Sequence, residues 1–461
     1  MRTLLLNAPN IPFTDRDILM PQIDLLQEAG LLESLGHDAI FYDMDIERAS
    51  DYDLEKKLVE DSIDVVYMLF DEVVQIHSHQ AVRNAMNLGR LIRDTGRKVI
   101  FGGTVPSFFH NFILEKGYAD VVLVGPPGPA LRELFSNWNY RDNKRIAYKN
   151  SRGEVVGRDI YSRSLLEGFT LDDSYGIASR HLVNEENYPI DVRTIASSRG
   201  CRPNGKGCTF CPYSSFWGRY RHFSTELVLS DIEQIIEKGH RKIMFLDSSF
   251  TYSPFYTKDL FQKIIERGYN KYAIFGGMSR VDIDLDMLDL LQEGGLRFIH
   301  FGIESGDQET INKLRKSITV EQIEKAFYES KKRGLRTRGS IIIDSGDTKE
   351  SVDKTIDLLC RISPNEIKPH FLSPRIYSDM QDITWENQSI FGSGSVVSKS
   401  ISEYATRGLD QLADFFKAQG YLILLDSFAK EGFWKGLWER GEKGEEINFM
   451  SVAPARYGIS W

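Results

Sequence analysis

The sequence predicts an α/β protein in which an open parallel sheet is followed by a partial barrel of six βα units and a C-terminal cap. Three observations predict this class. Short apolar runs alternate with amphipathic stretches over residues 1–135, a second alternation runs from Val192 to about Cys360, and the length of 461 residues allows two or three domains. We therefore expect four segments: residues 1–138, 139–191, 192–371 and 372–461.

In the first series, polar or small residues bound each apolar run, and Gly36 is expected to end the first helix. The predicted strands are residues 4–8, 39–42, 65–70, 99–101 and 121–124. The predicted helices are residues 22–35, 81–95 and 129–138. Asn7, Gly102, Gly103 and Gly125 follow predicted strands. Because ligands of open parallel sheets bind beyond the carboxyl ends of the strands, these four residues mark a candidate cofactor-binding site.

The polar segment 139–191 is expected to be a linker and connecting subdomain, and a second series of strands and helices follows it. The predicted strands are residues 193–196, 242–246, 273–275, 298–301, 338–343 and 366–371. The predicted helices are residues 225–238, 257–267, 285–293, 308–313, 320–333 and 349–360. Six such units make a partial barrel. The tail is expected to be a mixed helical cap, with a helix over residues 403–419 and with Trp434 and Trp438 packed on the barrel.

Composition excludes several classes of partner. The formal charge of −9, from 57 basic and 66 acidic residues, provides no long-range attraction for nucleic acids or anionic membranes. No apolar stretch approaches the roughly 20 residues of a membrane span, and the N-terminal leucine run is too short for a signal peptide. The cysteines, clustered rather than spread, imply no disulfide framework. A cytoplasmic protein is expected.

Three of the four cysteines, Cys201, Cys208 and Cys211, lie within eleven residues after a predicted strand. A structural zinc site normally has four protein ligands, and the nearest histidine, His222, lies eleven residues past Cys211. Three thiolates suit an iron-sulfur cluster that leaves one iron open to a ligand. The fourth cysteine, Cys360, lies in a predicted helix and is expected to be a small core residue.

The cysteine motif, with the aromatic Phe210 before its last cysteine, resembles that of the radical S-adenosylmethionine (SAM) superfamily. The resemblance implies that Cys201, Cys208 and Cys211 hold a 4Fe-4S cluster, and that the amine and carboxylate of SAM occupy its open iron. Six residues separate the first two cysteines, which is more than in the common form of the motif. We expect a longer loop here than in most relatives.

Later strand ends resemble the same superfamily. The segment that contains Asp247 resembles the second-strand segment near the cofactor, and Arg280 is placed to pair with the SAM carboxylate. Glu304 and Ser305, in the sequence Gly-Ile-Glu-Ser-Gly, resemble the fourth-strand segment, whose glutamate faces the ribose or amine of SAM. The usual glycine-proline ending of the fifth strand is replaced by Ser-Gly-Asp at residues 345–347. His370 and Arg375, after the sixth strand, are candidates for substrate contact.

The N-terminal segment resembles the Rossmann-like cobalamin-binding domain that precedes many radical SAM barrels. The resemblance rests on the strand exit at Asn7, the helix end at residues 32–37, the Gly102-Gly103 pair and the loop at Gly125. It implies that cobalamin binds at Asn7 and the three glycines. A relic domain that no longer binds cobalamin is the alternative.

Two features depart from that cobalamin-binding domain. No Asp-x-His-x-x-Gly motif is present, so no histidine is expected to bind cobalt, and His77 and His79 are expected at a helix start or on the surface. Two prolines follow Gly125, and proline removes backbone donors from the loop.

The resemblance implies a cobalamin-dependent radical SAM enzyme, most simply a methyltransferase. The reduced cluster would cleave SAM, the adenosyl radical would remove a hydrogen from a small-molecule or natural-product substrate, and methylcobalamin would deliver a methyl group. An electron donor such as flavodoxin or ferredoxin is implied. Three alternatives stay open: a radical rearrangement, transfer of a 3-amino-3-carboxypropyl group to a nucleophile, and a non-enzymatic zinc-binding interaction protein.

Overall fold

A computed structural model describes residues 1–9, 20–70, 79–138, 143–157, 159–201, 207–343 and 347–371. The chain divides into two compact units, which are called the first and the second unit below. The first unit comprises Met1–Gly205 and Pro212–Ile235, and the second comprises Lys206–Cys211 and the chain from Ile236 onward. These limits differ from the predicted segment boundaries, because the first unit extends past residue 191.

The first unit contains a seven-stranded sheet with the order β2-β1-β3-β4-β5-β6-β7. The strands are β1 (Arg2–Asn7), β2 (Asp38–Asp43), β3 (Val65–Leu69), β4 (Lys98–Gly102), β5 (Val121–Leu123), β6 (Ile146–Lys149) and β7 (Val155–Val156). The first five are parallel, while β6 and β7 pair antiparallel at one edge. Crossover helices on a parallel sheet confirm the predicted α/β class.

Seven helices accompany these strands: α1 (Ile23–Ser34), α2 (Met44–Glu47), α3 (Asp51–Glu60), α4 (His79–Asp94), α5 (Thr104–Phe108), α6 (His110–Lys116) and α7 (Pro127–Asn137). The chain turns after α1 at Gly36, whose φ of 80° suits glycine. Every residue of β3, Val-Val-Tyr-Met-Leu, is buried. Strands buried on both faces read as continuous apolar runs, which is why the sequence located this sheet.

The predicted linker is wrong in part, because residues 146–156 contribute two strands to the first sheet. Further short elements follow: α8 (Leu171–Ser174), β8 (Arg193–Ile195), β9 (Ser198–Arg199), α9 (Tyr213–Trp217), β10 (Arg221–His222), α10 (Thr225–Glu237), and 3-10 helices at Arg163–Leu166, Arg180–Leu182 and Glu185–Asn187. The two strands β9 and β10 pair antiparallel.

The second unit contains five parallel strands that neighbour one another in chain order. They are β11 (Lys242–Phe245), β12 (Ile274–Ser279), β13 (Leu296–Glu304), β14 (Arg336–Ile343) and β15 (Glu366–Phe371). The helices are α11 (Pro254–Glu266), α12 (Leu288–Glu293), α13 (Gln308–Lys313), α14 (Val320–Lys332) and α15 (Lys349–Ile362), with 3-10 helices at Tyr269–Lys271 and Leu285–Met287. These five strands correspond to the last five of the six strands predicted for the second series.

Aromatic side chains fill the core on the helix-covered face of this sheet. The rings of Phe245 and Phe250 stack with centroids 5.2 Å apart, and Phe261 lies 6.0 Å from Phe245. All three are at most 2% exposed. Full burial of each such side chain contributes about 2–3 kcal/mol, so this cluster fixes the strands that carry the functional residues.

Two predictions concern residues outside this core. Cys360 is exposed, so its assignment as a core residue is wrong; the buried face of α15 runs through Val352, Thr355, Leu359 and Ile362 instead. The predicted cap, including its helix over residues 403–419 with Trp434 and Trp438, lies outside the described residues. None of the helices in the described ranges is long and apolar enough to span a bilayer.

Candidate functional site

The end of the cysteine motif forms a tight turn in the second unit. The backbone N–H of Cys211 donates to the carbonyl of Cys208 across 3.2 Å, and the N–H of Thr209 donates to the carbonyl of Leu314 across 3.1 Å. Both cysteines and Phe210 are half-buried. The turn is therefore anchored on the segment that follows α13.

Lys316 lies in that anchoring segment, between two residues of unusual backbone conformation. Arg315 and Ser317 have φ angles of 52° and 55°, and left-handed φ values in non-glycine residues cost on the order of 1–3 kcal/mol each. The N–H of Lys316 donates to the carbonyl of Ile311. The strained turns at both flanks set the direction of the Lys316 side chain.

The Lys316 ammonium forms an ion pair with the Glu304 carboxylate at the end of β13. The side chains are 11% and 7% exposed. Burial alone would lower the pKa of Lys316, but the Glu304 carboxylate and then the Cys208 thiol hold that pKa above its ordinary value. Glu304 itself has a φ of 69°, beside an irregularity in the β13–β14 register. The strand end thus holds a buried carboxylate and a buried ammonium in contact, within electrostatic range of the Cys208 thiol.

Arg280 follows β12 and lies near the same segment. Its Nε and Nη2 donate to the two carboxylate oxygens of Asp282 at 2.8 and 2.9 Å, and Nη2 also donates to the carbonyl of Lys316 at 2.9 Å. Its backbone N–H donates to Ser249 Oγ at 3.3 Å. The guanidinium is therefore already oriented by a carboxylate and by the Lys316 backbone.

The other two predicted strand-end residues in the second unit are buried. Asp247 is fully buried two residues after β11. Ser305 accepts from the N–H of Asp307 at 3.1 Å, and its Oγ lies 3.3 Å from Thr355 Oγ1 in α15. An ideal Cβ on Gly306 would lie 2.4 Å from the carbonyl oxygen of Lys354. Ser305 and Gly306 thus hold the end of β13 against α15.

In the first unit, one serine joins the glycine loops after β4 and β5. Ser107 Oγ lies 2.7 Å from the carbonyl oxygen of Gly103 and accepts from the N–H of Gly125 at 3.0 Å. Gly103 has a φ of 104°, and an ideal Cβ there would lie 2.1 Å from the Phe70 carbonyl oxygen. Side chains at Gly102 and Gly125 would meet Tyr67 and Leu165, respectively. Local packing therefore accounts for all three glycines.

Asn7 belongs to a polar network at the end of β1. Its Oδ1 accepts from Gln22 Nε2, and a hydrogen bond with Asn7 also reaches the Asp43 carboxyl, which accepts from the Tyr188 hydroxyl at 2.9 Å. Burial raises the pKa of Asp43 in spite of these bonds. Of the two histidines, His77 lies outside the described residues and His79 begins α4.

Arg199 is a residue whose role the sequence did not indicate. It lies in β9, two residues before Cys201, and its Nη2 donates to the Asp24 carboxylate and to Gln27 Oε1, both in α1. Its guanidinium lies 5.4 Å from the Trp217 ring centroid. Its partners lie far away in the sequence, so no local sequence pattern predicts this pairing. It fixes the strand that leads into the first cysteine.

The donor chemistry of the cysteines fits an iron-sulfur cluster. Within the described ranges, no three His, Cys, Asp or Glu side chains are grouped closely enough to hold a metal ion, and residues 202–206, between Cys201 and Cys208, lie outside those ranges. All three cysteines of the motif are half-buried, and thiolates are the ligands of iron-sulfur clusters.

The chain is similar to several known proteins. Residues 195–359 match the model of the Radical SAM superfamily. An uncharacterized methyltransferase of Pyrococcus horikoshii is 32% identical over 290 residues, which cover 60% of this chain and 61% of the relative. The anaerobic magnesium-protoporphyrin IX monomethyl ester cyclase of Cereibacter sphaeroides is 23% identical over 274 residues, which cover 56% of this chain and 43% of the relative. The chain thus spans less than two thirds of either relative.

The fold is also that of a solved structure. The radical SAM methyltransferase TsrM from Kitasatospora setae, solved with cobalamin and a 4Fe-4S cluster bound, superposes with a TM-score of 0.68 at 18% identity, covering 82% of this chain and 76% of TsrM. At this identity the likeness concerns the fold alone. The chain contains a radical SAM domain over residues 195–359, in an α/β architecture shared with TsrM.

Proposed function

We propose that this chain is a radical SAM enzyme that holds a 4Fe-4S cluster through Cys201, Cys208 and Cys211 and acts on a small molecule. The observation that supports this most is the anchoring of the cysteine turn, through Thr209, on the segment that carries the buried Lys316–Glu304 pair at the carboxyl end of β13. In βα barrels, active sites form at the carboxyl ends of the strands. A buried charge cluster at such a place is typical of a functional site.

The residues at this strand end have separable roles in the proposal. Lys316 and Arg280 carry the positive charge that would bind the SAM carboxylate, and their pairing with Glu304 and Asp282 fixes their directions. Glu304 has a second carboxylate oxygen with which to accept from the SAM amine or ribose. Asp247, which is buried just after β11, is the remaining residue that the sequence predicted for the SAM site. When bound, the cluster supplies one electron to SAM.

Cobalamin binding is proposed for the first unit, at Asn7, Gly102, Gly103 and Gly125. All four lie at or after the carboxyl ends of parallel strands, where open α/β sheets bind ligands. TsrM, which shares the fold, has bound cobalamin. Packing already explains the glycines, so corrinoid analysis of the purified protein decides this part. In this proposal residues 1–138 are the cobalamin-binding domain, residues 192–371 the barrel and residues 372–461 the cap.

Methyl transfer to a small-molecule or natural-product substrate is the reaction we propose. The name of the Pyrococcus relative and that of TsrM support it. A radical rearrangement or ring closure without methyl transfer is the second candidate, because a cyclase is also among the relatives. The long gap between Cys201 and Cys208 keeps 3-amino-3-carboxypropyl transfer as a third. A cytoplasmic flavodoxin or ferredoxin would supply the electron.

Anaerobic purification followed by iron, sulfide, zinc and corrinoid analysis tests the proposal, with the adenosine-derived product identified after addition of SAM and a low-potential reductant. We expect iron and sulfide in equal amounts and consumption of SAM. Formation of 5′-deoxyadenosine supports radical chemistry, whereas 5′-methylthioadenosine indicates transfer of the aminocarboxypropyl group. Zinc in place of iron, with SAM left intact, would instead support an interaction protein.

A further inference from the structure

The sheet of the second unit has two different faces, because side chains alternate between the faces along each strand. On one face, Phe301 of β13 packs against Phe327 of α14 with ring centroids 5.1 Å apart. An ideal Cβ on Gly277 of β12 would meet Phe250 and Phe245 on this same side. Helices cover this face. We call the opposite face of β12, β13 and β14 the inner face.

Open space lies over the inner face at Met278, near the carboxyl end of β12. This strand has β11 on one side and β13 on the other, and the Cα partner of Met278 in β13 is His300. Met278 is 38% exposed. Parallel sheets normally have both faces covered, so an apolar side chain in an interior strand is expected to be buried. The exposure of Met278 therefore marks an opening on the inner face.

His300 lies beside this opening and is held by a serine. Its Nε2 is 2.5 Å from the Oγ of Ser340 in β14, and both residues are 8% exposed. Nδ1 of His300 has no hydrogen-bond partner within the described part of the chain. Nor is Nδ1 one of the fully buried polar atoms that lack a partner. The imidazole thus has one nitrogen fixed by the protein and one available to a ligand.

The imidazole of His300 is neutral at physiological pH. Burial first, and then the charges of Arg338, Lys368, His370 and Lys316, lower its pKa well below the ordinary value. A neutral imidazole donates at one nitrogen and accepts at the other. Nδ1 therefore donates to a ligand if the serine donates to Nε2, and it accepts from a ligand if Nε2 donates to the serine.

The charged side chains around this imidazole are themselves engaged. Arg338 Nε donates to Glu366 at 2.6 Å, and Lys316 is paired with Glu304. The other two basic side chains that act on the imidazole also have interaction partners. What the histidine and the serine offer to a ligand at the opening is therefore a pair of uncharged polar groups.

The opening adjoins the ion pair at the end of β13. An ideal Cβ on Gly302 would lie 2.6 Å from both Glu304 Oε1 and Lys316 Nζ, so that pair lies over the inner face at Gly302. Gly302 is the Cα partner of Ser340, which bonds to His300. The opening is thus one step along the strands from the residues proposed to bind SAM. A molecule bound there would lie beside SAM.

We propose that Met278, His300 and Ser340 bind a portion of the substrate that is uncharged and joins apolar carbon to one hydrogen-bonding group, as a hydroxylated or heteroaromatic ring does. His300 Nδ1 bonds to that group, Ser340 fixes the direction of the imidazole, and the Met278 thioether contacts the carbon atoms. An ionised group would lose its hydration here without gaining an opposite charge. The inference rests on the proposed function, because the substrate in question is that of the SAM-dependent reaction.

Calorimetric titration of small probes into the cluster-loaded, full-length protein tests the proposal. The uncharged probes are benzyl alcohol, phenol and indole, and the charged counterparts are benzoate and benzylamine. Each is titrated without SAM and with SAM at saturation, in the absence of a reductant. We expect at least one uncharged probe to bind under both conditions, and to bind more tightly than either charged probe.

Two variants locate the binding. Met278→Trp fills the opening and His300→Phe removes the free ring nitrogen, so each is expected to weaken the tightest uncharged probe by about tenfold or more. Tyr328→Trp, at a 66% exposed position in α14, is the matched control for an enlarged side chain and should leave the affinity unchanged. Iron content and circular dichroism establish that each variant is folded, and either inner-face variant suffices if the other fails to fold.

Four outcomes would overturn the proposal: no binding of any uncharged probe, tighter or equal binding of a charged probe, undiminished binding in a folded Met278→Trp or His300→Phe variant, and displacement of the probe by SAM. The last would show that SAM itself occupies the opening. The proposed function has its own readout. Probe binding without SAM consumption under reducing conditions would contradict the SAM chemistry and leave the binding site standing, whereas SAM consumption without probe binding would do the reverse.

Discussion

Arg199, two residues before the first cysteine of the motif, donates from its guanidinium to the carboxylate of Asp24 in α1. The side chains are 2% and 12% exposed. An ion pair this buried is costly to break from one side, because the remaining charge keeps its desolvation penalty without its partner. The pair links the first helix of the chain to the strand that leads into Cys201.

Asp24→Asn is therefore expected to destabilise the first unit by about 3–5 kcal/mol and to reduce the iron bound per chain. Urea unfolding followed by tryptophan fluorescence measures the first effect, and iron analysis the second. Glu60→Gln is the control, because it breaks the exposed Lys56–Glu60 pair, whose side chains are 58% and 62% exposed. It should cost less than about 1 kcal/mol. Equal effects of the two substitutions would show that the Arg199 pair has no special structural role.

Lys316→Met should weaken SAM binding by at least tenfold, since it removes an ammonium that lies beside Cys208 and leaves Glu304 buried without its cation. Lys313→Met is the matched control, because it removes the same charge three residues earlier, from a side chain that is 71% exposed. It should leave SAM binding unchanged. Equilibrium dialysis with labelled SAM gives the affinities of both variants. If Lys316→Met binds SAM as the wild type does while keeping its cluster, Lys316 has no part in the SAM site.

Gly103→Ala should destabilise the first unit more than Gly96→Ala. Both glycines have positive φ angles, 104° and 85°, but a Cβ at residue 103 would meet the Phe70 carbonyl oxygen at 2.1 Å, whereas nothing lies within 4 Å of one at residue 96. We expect a loss of about 1 kcal/mol at Gly96 and several times that at Gly103. Thermal unfolding of the two variants measures the difference. Similar unfolding temperatures would mean that the loop after β4 adjusts to the added methyl group.

Acid should destabilise the second unit through His300. Burial and the neighbouring cations lower the pKa of this imidazole in the folded chain. Above the ordinary value of about 6.5 it is neutral in both states; as the pH falls below that value, the unfolded chain binds a proton that the folded chain does not, and stability is lost. His300→Gln should reduce the loss of stability between about pH 7.5 and 5.5. If His300→Gln loses as much stability over this pH range as the wild type does, other titratable groups cause the loss.

The sequence located most of the regular structure for a physical reason. The β3 run Val-Val-Tyr-Met-Leu is buried throughout, and α15 has an apolar stripe at helical spacing; both patterns are visible in any short window. The strands β6 and β7 have only four and two residues. They form because β6 pairs with the edge strand β5 in the folded unit. A pairing between distant segments leaves no pattern in the local sequence, so these strands could not be predicted from it.

The residues of the candidate site likewise divide into those that the sequence indicated and those that depend on the folded structure. Arg280 and Glu304 follow strands and stand in recognisable segments, so the sequence indicated them. Lys316 depends on a pairing with Glu304, twelve residues away in the chain, and on the backbone of its flanking residues. Such pairings follow from the fold, and a reading of single segments misses them.

Replacing each cysteine in turn tests the central claim most directly. Wild type, Cys201→Ala, Cys208→Ala, Cys211→Ala and Cys360→Ala would be reconstituted anaerobically, and bound iron and SAM consumption would be measured in each. Cys360 is exposed on α15 and serves as the control. We predict that each change in the motif abolishes SAM consumption and strongly lowers bound iron, while Cys360→Ala matches the wild type. Retention of both iron and SAM consumption in any one motif variant would contradict the three-cysteine cluster.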